Sequence, residues 1–233
     1  FGTEWRFFHH RFGIDFTWYQ TNTKNQLLRM DNPTGSTYKY RYVNAGKIRN
    51  QGFELTVDAT PLLYRNFSWK SLINMSANKN KVVTLHPDYP EFSYYEEGFN
   101  AGYQMRVKEG GSLGDIYGNA FRRNEDGSIM VDETSKRPLG NTGNKDLLGN
   151  ANPDFTMGWR HDINYKNISL GLMITGRFGG IVTSQTQAFM DAFGVSKVSA
   201  EARDNGGVML DGHRYDAERY YNTVGGQGLM SYY

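Results

Sequence analysis

Five stretches of this chain alternate between apolar and polar residues with a period of two, a pattern that fits half-buried strands and does not fit amphipathic helices. In the first, Phe12, Ile14, Phe16 and Trp18 share one face, while Arg11, Gly13, Asp15, Thr17 and Tyr19 share the other. The second sets Phe53, Leu55, Val57 and Ala59 against Gly52, Glu54, Thr56 and Asp58. The third sets Phe67, Trp69, Ser71, Ile73, Met75 and Ala77 against Ser68, Lys70, Leu72, Asn74, Ser76 and Asn78. The fourth and fifth span Phe155 to Tyr165 and Ile168 to Phe178. Together the apolar faces have 26 positions and no Asp, Glu, Lys or Arg, whereas the opposite faces have 25 positions and eight such charges. The expected fold is therefore all-β and antiparallel, with one greasy and one wet surface.

Two environments suit such a sheet. A soluble sandwich or barrel turns the greasy face inward, and an outer-membrane barrel turns it outward to lipid around a polar lumen. Alternation alone leaves both open, but strand length helps. The 12 residues from Phe67 to Asn78, at about 3.3 Å each and a tilt near 45°, rise about 28 Å, close to the hydrocarbon thickness of a bilayer. Connections also fall into two kinds. His9-His10, Pro61 to Asn66 and Lys166-Asn167 are short; Asp31 to Tyr40, about 85–152, and 179–233 are long. If strands run alternately up and down, the short turns gather at one end and the long loops at the other, as in outer-membrane barrels with short periplasmic turns and long extracellular loops. Trp18, Phe67, Trp69, Phe155, Tyr165 and Phe178 lie near strand ends on the apolar face, where interfacial aromatic girdles belong.

Composition excludes several alternatives. With 26 Lys or Arg against 24 Asp or Glu, the chain has no basic excess of the kind a nucleic-acid binder shows. It has no Cys, so disulfides, thiolate metal sites and cysteine nucleophiles are absent. No apolar run is long enough for a membrane-spanning helix. The 16 Tyr, 14 Phe, 4 Trp and 27 Gly against 15 Leu favour strands. Phe1 to Phe8 already reads as strand, and the last residues follow directly on a Gly-rich loop, so the sequence is expected to be a piece of something larger.

At this point the chain resembles a known family. Arg11 to Tyr19 with Asn22-Thr23-Lys24-Asn25-Gln26, then Asn44 to Glu54, Ile73 to Val82, Gly149 to Asp154 and Gly176 to Gly180 resemble, in that order, the C-terminal barrel half of SusC/RagA-type TonB-dependent outer-membrane transporters. The resemblance implies a partial wall over 1–233 of a 22-stranded barrel in the outer membrane of a Gram-negative bacterium. It further implies a plug domain outside this sequence, TonB acting through an N-terminal region also outside it, and a SusD-like lipoprotein over the extracellular mouth. Oligosaccharides or peptides would be the cargo. Six or so strands cannot close so wide a barrel, because diameter grows with strand number; transport would belong to the whole assembly.

Candidate contacts follow from the pattern. Asp15, Glu54, Asp58, Lys70, Arg160, Asp162 and Arg177 fall on the polar face and read as lumen-facing, or as charges solvated or paired across strands. The long loop at 85–152 carries Tyr89, Phe92, Tyr94, Tyr95, Phe99, Tyr103, Tyr117 and Phe121, with Arg122 and Arg123 beside them. Of these, Tyr94, Tyr95, Tyr103, Tyr117, Phe121 and Arg122 are candidates for contact with substrate or partner, since aromatic rings stack on sugars and anchor proteins; internal packing of so long a loop is the competing reading.

No catalytic residue, cofactor or metal is expected. Glu96-Glu97 and Asp132-Glu133 are adjacent carboxylates of the sort loops solvate, and glycosidase chemistry depends on a spatial separation that sequence does not supply. Asp126-Gly127-Ser128 reads as a turn, lacking the spaced ligands of a calcium loop. The five His (His9, His10, His86, His161 and His213) show no zinc spacing. Gly110-Gly111-Ser112-Leu113-Gly114 and Gly225-Gly226-Gln227-Gly228 read as loop punctuation rather than phosphate loops. His161 alone conflicts with its position, standing on the supposed lipid face, and is expected near a rim or a neighbouring chain. The leading expectation is thus part of a TonB-dependent importer. The alternatives are a soluble carbohydrate-binding β-sandwich and, more remotely, a piece of a glycoside hydrolase.

Overall fold

The computed structural model describes residues 1–32, 35–87, 90–97, 102–210, 212–226, 228–229 and 232. Tyr89 and Phe99 lie outside the described residues, as do the side chains of Glu96 and Glu97. In chain order the elements are β1 (Gly2–Phe7), β2 (Phe12–Asp31), β3 (Tyr40–Tyr64), β4 (Phe67–Thr84), β5 (Glu91–Glu97), β6 (Tyr103–Lys108), β7 (Asp115–Phe121), β8 (Gly140–Asn150), β9 (Phe155–Tyr165) and β10 (Ile168–Phe178). Then follow α1 (Gln185–Ala192), α2 (Lys197–Asp204), β11 (Val208–Leu210), β12 (His213–Tyr215) and α3 (Ala217–Gly226). They form two compact units. One holds Phe1–Pro90, Lys108–Ser112 and Asn152–Ile181; the other holds Glu91–Val107, Leu113–Ala151 and Val182–Tyr233.

The first unit is a six-stranded antiparallel sheet in the order β1-β2-β3-β4-β9-β10. Its register aligns the alternating patterns. Trp5, Ile14, Val57, Ile73, Trp159 and Ile174 form one row across all six strands, and Phe7, Phe12, Ala59, Ser71, His161 and Leu172 form the next. Because directly opposed residues point to the same side, the apolar residues of every strand share one face. That face is uncovered: Trp5 is 53% exposed, Leu172 51% and Ile174 61%. Its lower margin is the row Tyr64, Phe67, Tyr165 and Ile168, and its upper margin is Trp18, Phe53 and Ala77. From Phe67 to Ala77 is ten residue steps, or about 25 Å of height at the usual strand tilt, the height of a lipid-facing barrel band.

Short turns join the strands at one end. His9 and His10 lie in left-handed backbone (φ 56° and 62°), and Lys166 does so in the β9–β10 turn (φ 51°). At the other end β2 and β3 run on for many residues beyond the apolar band, as a ribbon in which Asn25 and Gly46 stand opposite each other, both at positive φ. Above the reach of β9, the edge of β4 is covered by a turn: Val82 N–H donates to the Gly111 carbonyl at 2.8 Å, and Gly110 N–H to the Val82 carbonyl at 2.9 Å. The Gly-rich stretch at 110–114 therefore contributes to edge pairing. Ile48, Val82 and Leu85 are buried near this place.

The second unit contains a four-stranded sheet, β5-β6-β7-β8, within the segment expected as a long loop. It also contains α1, α2, α3 and the β11–β12 hairpin, within the tail expected as loop. Helices of only 8 to 10 residues leave too little periodic signal for an 11-residue reading window. Their starts are nonetheless written in sequence: the Ser184 hydroxyl accepts from Gln187 N–H and the Ser196 hydroxyl from Ser199 N–H, each an N-cap. Tyr220, Tyr221, Val224 and Leu229 form the core of this part, with Phe121, Ala202, Val208 and Leu210 packed on it. At Gly225 a side chain would overlap the backbone of Ala188 and Ala192, so glycine permits α1 and α3 to approach closely.

Candidate functional site

The seven charges singled out from sequence, Asp15, Glu54, Asp58, Lys70, Arg160, Asp162 and Arg177, all lie on the polar face of the six-stranded sheet. The structure brings several of them into pairs. Arg6 of β1 reaches over β2 to Asp58 of β3 at 3.0 Å and also meets Glu4 at 2.9 Å. Arg160 grips Asp162 through Nε and Nη2, at 2.9 Å for the shortest contacts, and Lys70 stands opposite Asp162 on the neighbouring strand. Solvent-exposed pairs of this kind contribute little stability each. Their effect is to keep this stretch of the face charge-balanced.

Sequence reasoning missed the part played by glycine here. The Arg6–Asp58 bridge passes directly over Gly13, where any side chain would overlap both partners. Tyr19 passes its hydroxyl over Gly52 to Asn78 Oδ1 at 3.2 Å, and a side chain on Gly52 would collide with it. Gly158 likewise leaves room for Asn74. The available signal was a Gly on the polar side of the first, second and fourth patterns, with Arg6 and Asp58, Tyr19 and Asn78, and Asn74 on the strands beside Gly13, Gly52 and Gly158 respectively.

Farther along the face, Glu54, Ser76, Thr156 and Arg177 make one row across β3, β4, β9 and β10. Ser76 and Thr156 hydroxyls are 3.3 Å apart. This row borders a shallow concavity of about 700 Å³, also lined by Thr56, Asn74 and Thr175. A carboxylate at one side, a guanidinium at the other and hydroxyls and an amide between them can hydrogen-bond sugar hydroxyls or peptide groups equally well. Nothing in this set is a nucleophile with an adjacent base. No group of three or more metal-ligating side chains occurs among the described residues.

The loop candidates divide. Tyr94 is half-exposed and its hydroxyl donates to the Leu113 carbonyl at 2.6 Å; burial, aided by Tyr103 and Asp115, pushes that hydroxyl's pKa up. Tyr95 and Tyr103 meet edge to face with centroids 5.8 Å apart. Tyr117 lies under the Arg106 guanidinium at 4.9 Å, which in turn bonds Gln104 at 2.8 Å. Phe121 packs on the helical core and on Tyr232, whereas Arg122 is exposed. Asp126 accepts from Ser128 N–H at 2.9 Å and from its hydroxyl at 2.6 Å, so its carboxyl titrates below the usual range in a tight turn. Asp132 similarly accepts from Ser135 N–H at 2.6 Å, which commits it to a turn and leaves Glu133 no shared task.

His161 is resolved by its neighbours. Trp69 Nε1–H donates to His161 Nδ1 at 3.1 Å, while the Trp159 ring packs beside it, centroids 4.6 Å apart, and donates to the Ser71 hydroxyl at 2.9 Å. The imidazole thus sits on the apolar face between two indoles, part-buried and hydrogen-bonded, rather than at a rim.

A long-stranded antiparallel sheet with an exposed apolar band on one face and a charge-bearing polar face on the other is the wall of a transmembrane β-barrel. The comparisons agree. The family model "TonB dependent receptor-like, beta-barrel" matches residues 1–175, and the chain belongs to that family, whose members are transporters rather than enzymes. Among curated proteins, it is 26% identical over 203 residues to the TonB-dependent receptor P3 of Formosa agariphila, covering 79% of this chain and 20% of that one. It is 23% identical over 180 residues to the TonB-dependent receptor SusC of Bacteroides thetaiotaomicron, covering 73% and 18%. Among solved structures, the RagAB peptide transporter superposes with a TM-score of 0.65 at 15% identity, covering 82% of this chain and 21% of that one. The RagAB peptide importer in its open-open state gives 0.60, again at 15% identity, covering 81% and 21%. This chain therefore spans about a fifth of the length of the relatives it matches. Family membership decides against the soluble sandwich and the hydrolase.

Proposed function

We propose that this chain is part of the wall of a TonB-dependent importer in the outer membrane of a Gram-negative bacterium, working with a SusD-like surface lipoprotein to take up oligosaccharides or peptides. The polar face, with Asp15, Glu54, Asp58, Lys70, Arg160, Asp162 and Arg177, lines the lumen. Tyr94, Tyr95, Tyr103, Tyr117 and Arg122 lie in the extracellular region that meets the lipoprotein or the cargo, with Phe121 giving that region its packing. TonB acts on the plug end of the whole protein, and no cofactor takes part.

The observation that carries this reading is the exposed apolar band, about 25 Å tall, in a chain whose family match runs from residue 1 to 175. The likeness to the TonB-dependent receptor SusC and to the RagAB peptide transporter supports import, with peptide among the cargo classes. The test is a detergent-solubilised pull-down from outer membranes of the native source, followed by mass spectrometry. The expected result is a protein about five times this length, as the shared fraction implies, together with a lipoprotein partner. Recovery of a free soluble species of this length with no partner would overturn the proposal.

A further inference from the structure

Above the apolar band the outer face changes character. By register, Gln20, Gln51 and Lys79 form the row next to Trp18, Phe53 and Ala77. Asn22, Arg49 and Lys81 form the row after it, and Lys24, Lys47 and Thr84 the one after that. These nine positions hold five cations and no carboxylate. Lys24 stands directly opposite Lys47, and Arg49 directly opposite Lys81. Like charges opposed in this way destabilise an antiparallel ladder. The ion pairs Arg6–Glu4, Arg6–Asp58 and Arg160–Asp162 all belong to the other face; here the Arg49 guanidinium donates to the neutral amide of Asn22, at 3.3 Å. Lys24, Lys79 and Lys81 are exposed, and Lys47 and Arg49 are half-buried.

We propose that Lys24, Lys47, Arg49, Lys79 and Lys81 form a binding site for the phosphorylated headgroup of an outer-leaflet lipid. The inference rests on the outer-membrane reading above. Strand and residue spacings place the five cations within about 10 Å by 13 Å, room for a headgroup carrying more than one phosphate. They begin one row above the Trp18–Phe53 margin, at the end of the sheet that leads to the long connections, which is the headgroup level of the outer leaflet. Lysine stems lie along an apolar wall with the ammonium held out at that level, and cations there attract anionic lipid. Free phosphate shares the headgroup's chemistry, but the apolar wall directly below adds a surface for acyl chains that a free ion does not use.

The test uses the full-length protein, purified from outer membranes and placed in phosphatidylcholine nanodiscs. The nanodiscs are doped either with a bisphosphorylated glucosamine-based lipid or with the same lipid after dephosphorylation. Bound lipid is read by native mass spectrometry, and heat-modifiable migration reports that the barrel is folded and inserted. Wild type is expected to retain the phosphorylated lipid selectively. The combined variant Lys24→Gln, Lys47→Gln, Arg49→Gln and Lys81→Gln is expected to lose about 1,000-fold in apparent affinity. Lys166→Gln, at the short-turn end, is expected to behave as wild type. Equal retention of the two lipids by an inserted wild type, or undiminished retention by the combined variant, overturns the site while leaving the barrel reading intact. Displacement by millimolar inorganic phosphate makes it a free-anion site and overturns the lipid assignment. Failure of the wild type to insert overturns both readings.

Discussion

His161 shows what a polar ring needs in order to sit on an apolar wall. The Trp69 indole donates to its Nδ1 and the Trp159 ring packs beside it, so the imidazole keeps a partner where water is scarce. Trp69→Phe keeps an aromatic ring, though a smaller one, and removes the donor, and is expected to cost about 1 kcal/mol or more through the orphaned Nδ1, measured as a fall in the urea midpoint of the inserted protein. The same face sets the outcome of introducing a charge. Leu172 and Ile174 alternate with Thr175 along and across β10. Leu172→Arg or Ile174→Arg is expected to destabilise the inserted barrel by about 2 to 4 kcal/mol near the midplane, whereas Thr175→Arg, on the polar face, is tolerated. Equal effects at the three positions, read from folding into vesicles, would reverse the assignment of faces.

At the scale of elements, the Arg6–Asp58 bridge over Gly13 ties β1 to β3 beyond its pairing with β2. Gly13→Val fills that crossing, so β1 amides are expected to exchange faster with solvent while β3 and β4 amides are unchanged. The helical part responds to pH. Burial pushes the Tyr220 hydroxyl up to about 12, and burial with the neighbouring Tyr232 raises Tyr221 as well, whereas an unfolded tyrosine ionises near 10. Below pH 10 the full stability is present; as pH rises from 10 to 12 the unfolded chain releases a proton that the folded one keeps, so stability falls. The loss at Tyr220 is about 1 to 3 kcal/mol. Amide exchange in α3 at pH 9 and pH 11 checks it, and Tyr220→Phe is expected to flatten the difference.

For the whole molecule, the apolar band fixes the membrane it suits. A band about 25 Å tall matches a thin bilayer. The intact protein is therefore expected to insert faster into vesicles of short-chain lipid than into those whose hydrocarbon core is about 30 Å or more, as followed by heat-modifiable migration. Insensitivity to chain length would count against the band as the membrane contact.

The five alternating segments were legible in the sequence because a strand's side-chain period is a local property: neighbours two apart share a face whatever lies beside them. That period placed all seven polar-face charges and the apolar wall, and the ordered motifs carried the family. The rest depended on which strands became neighbours. Only register brings Arg6 over Gly13 to Asp58, sets His161 between two indoles, and stacks Lys24, Lys47, Arg49 and Lys81 into opposed like-charge pairs. The partners brought together are 23 positions apart for Lys24 and Lys47 and 92 for Trp69 and His161, and no local pattern encodes them. The tail helices escaped for the opposite reason. At 8 to 10 residues they are too short for periodicity to declare itself, and it is their packing around Tyr220, Tyr221, Val224 and Leu229 that makes them helices at all.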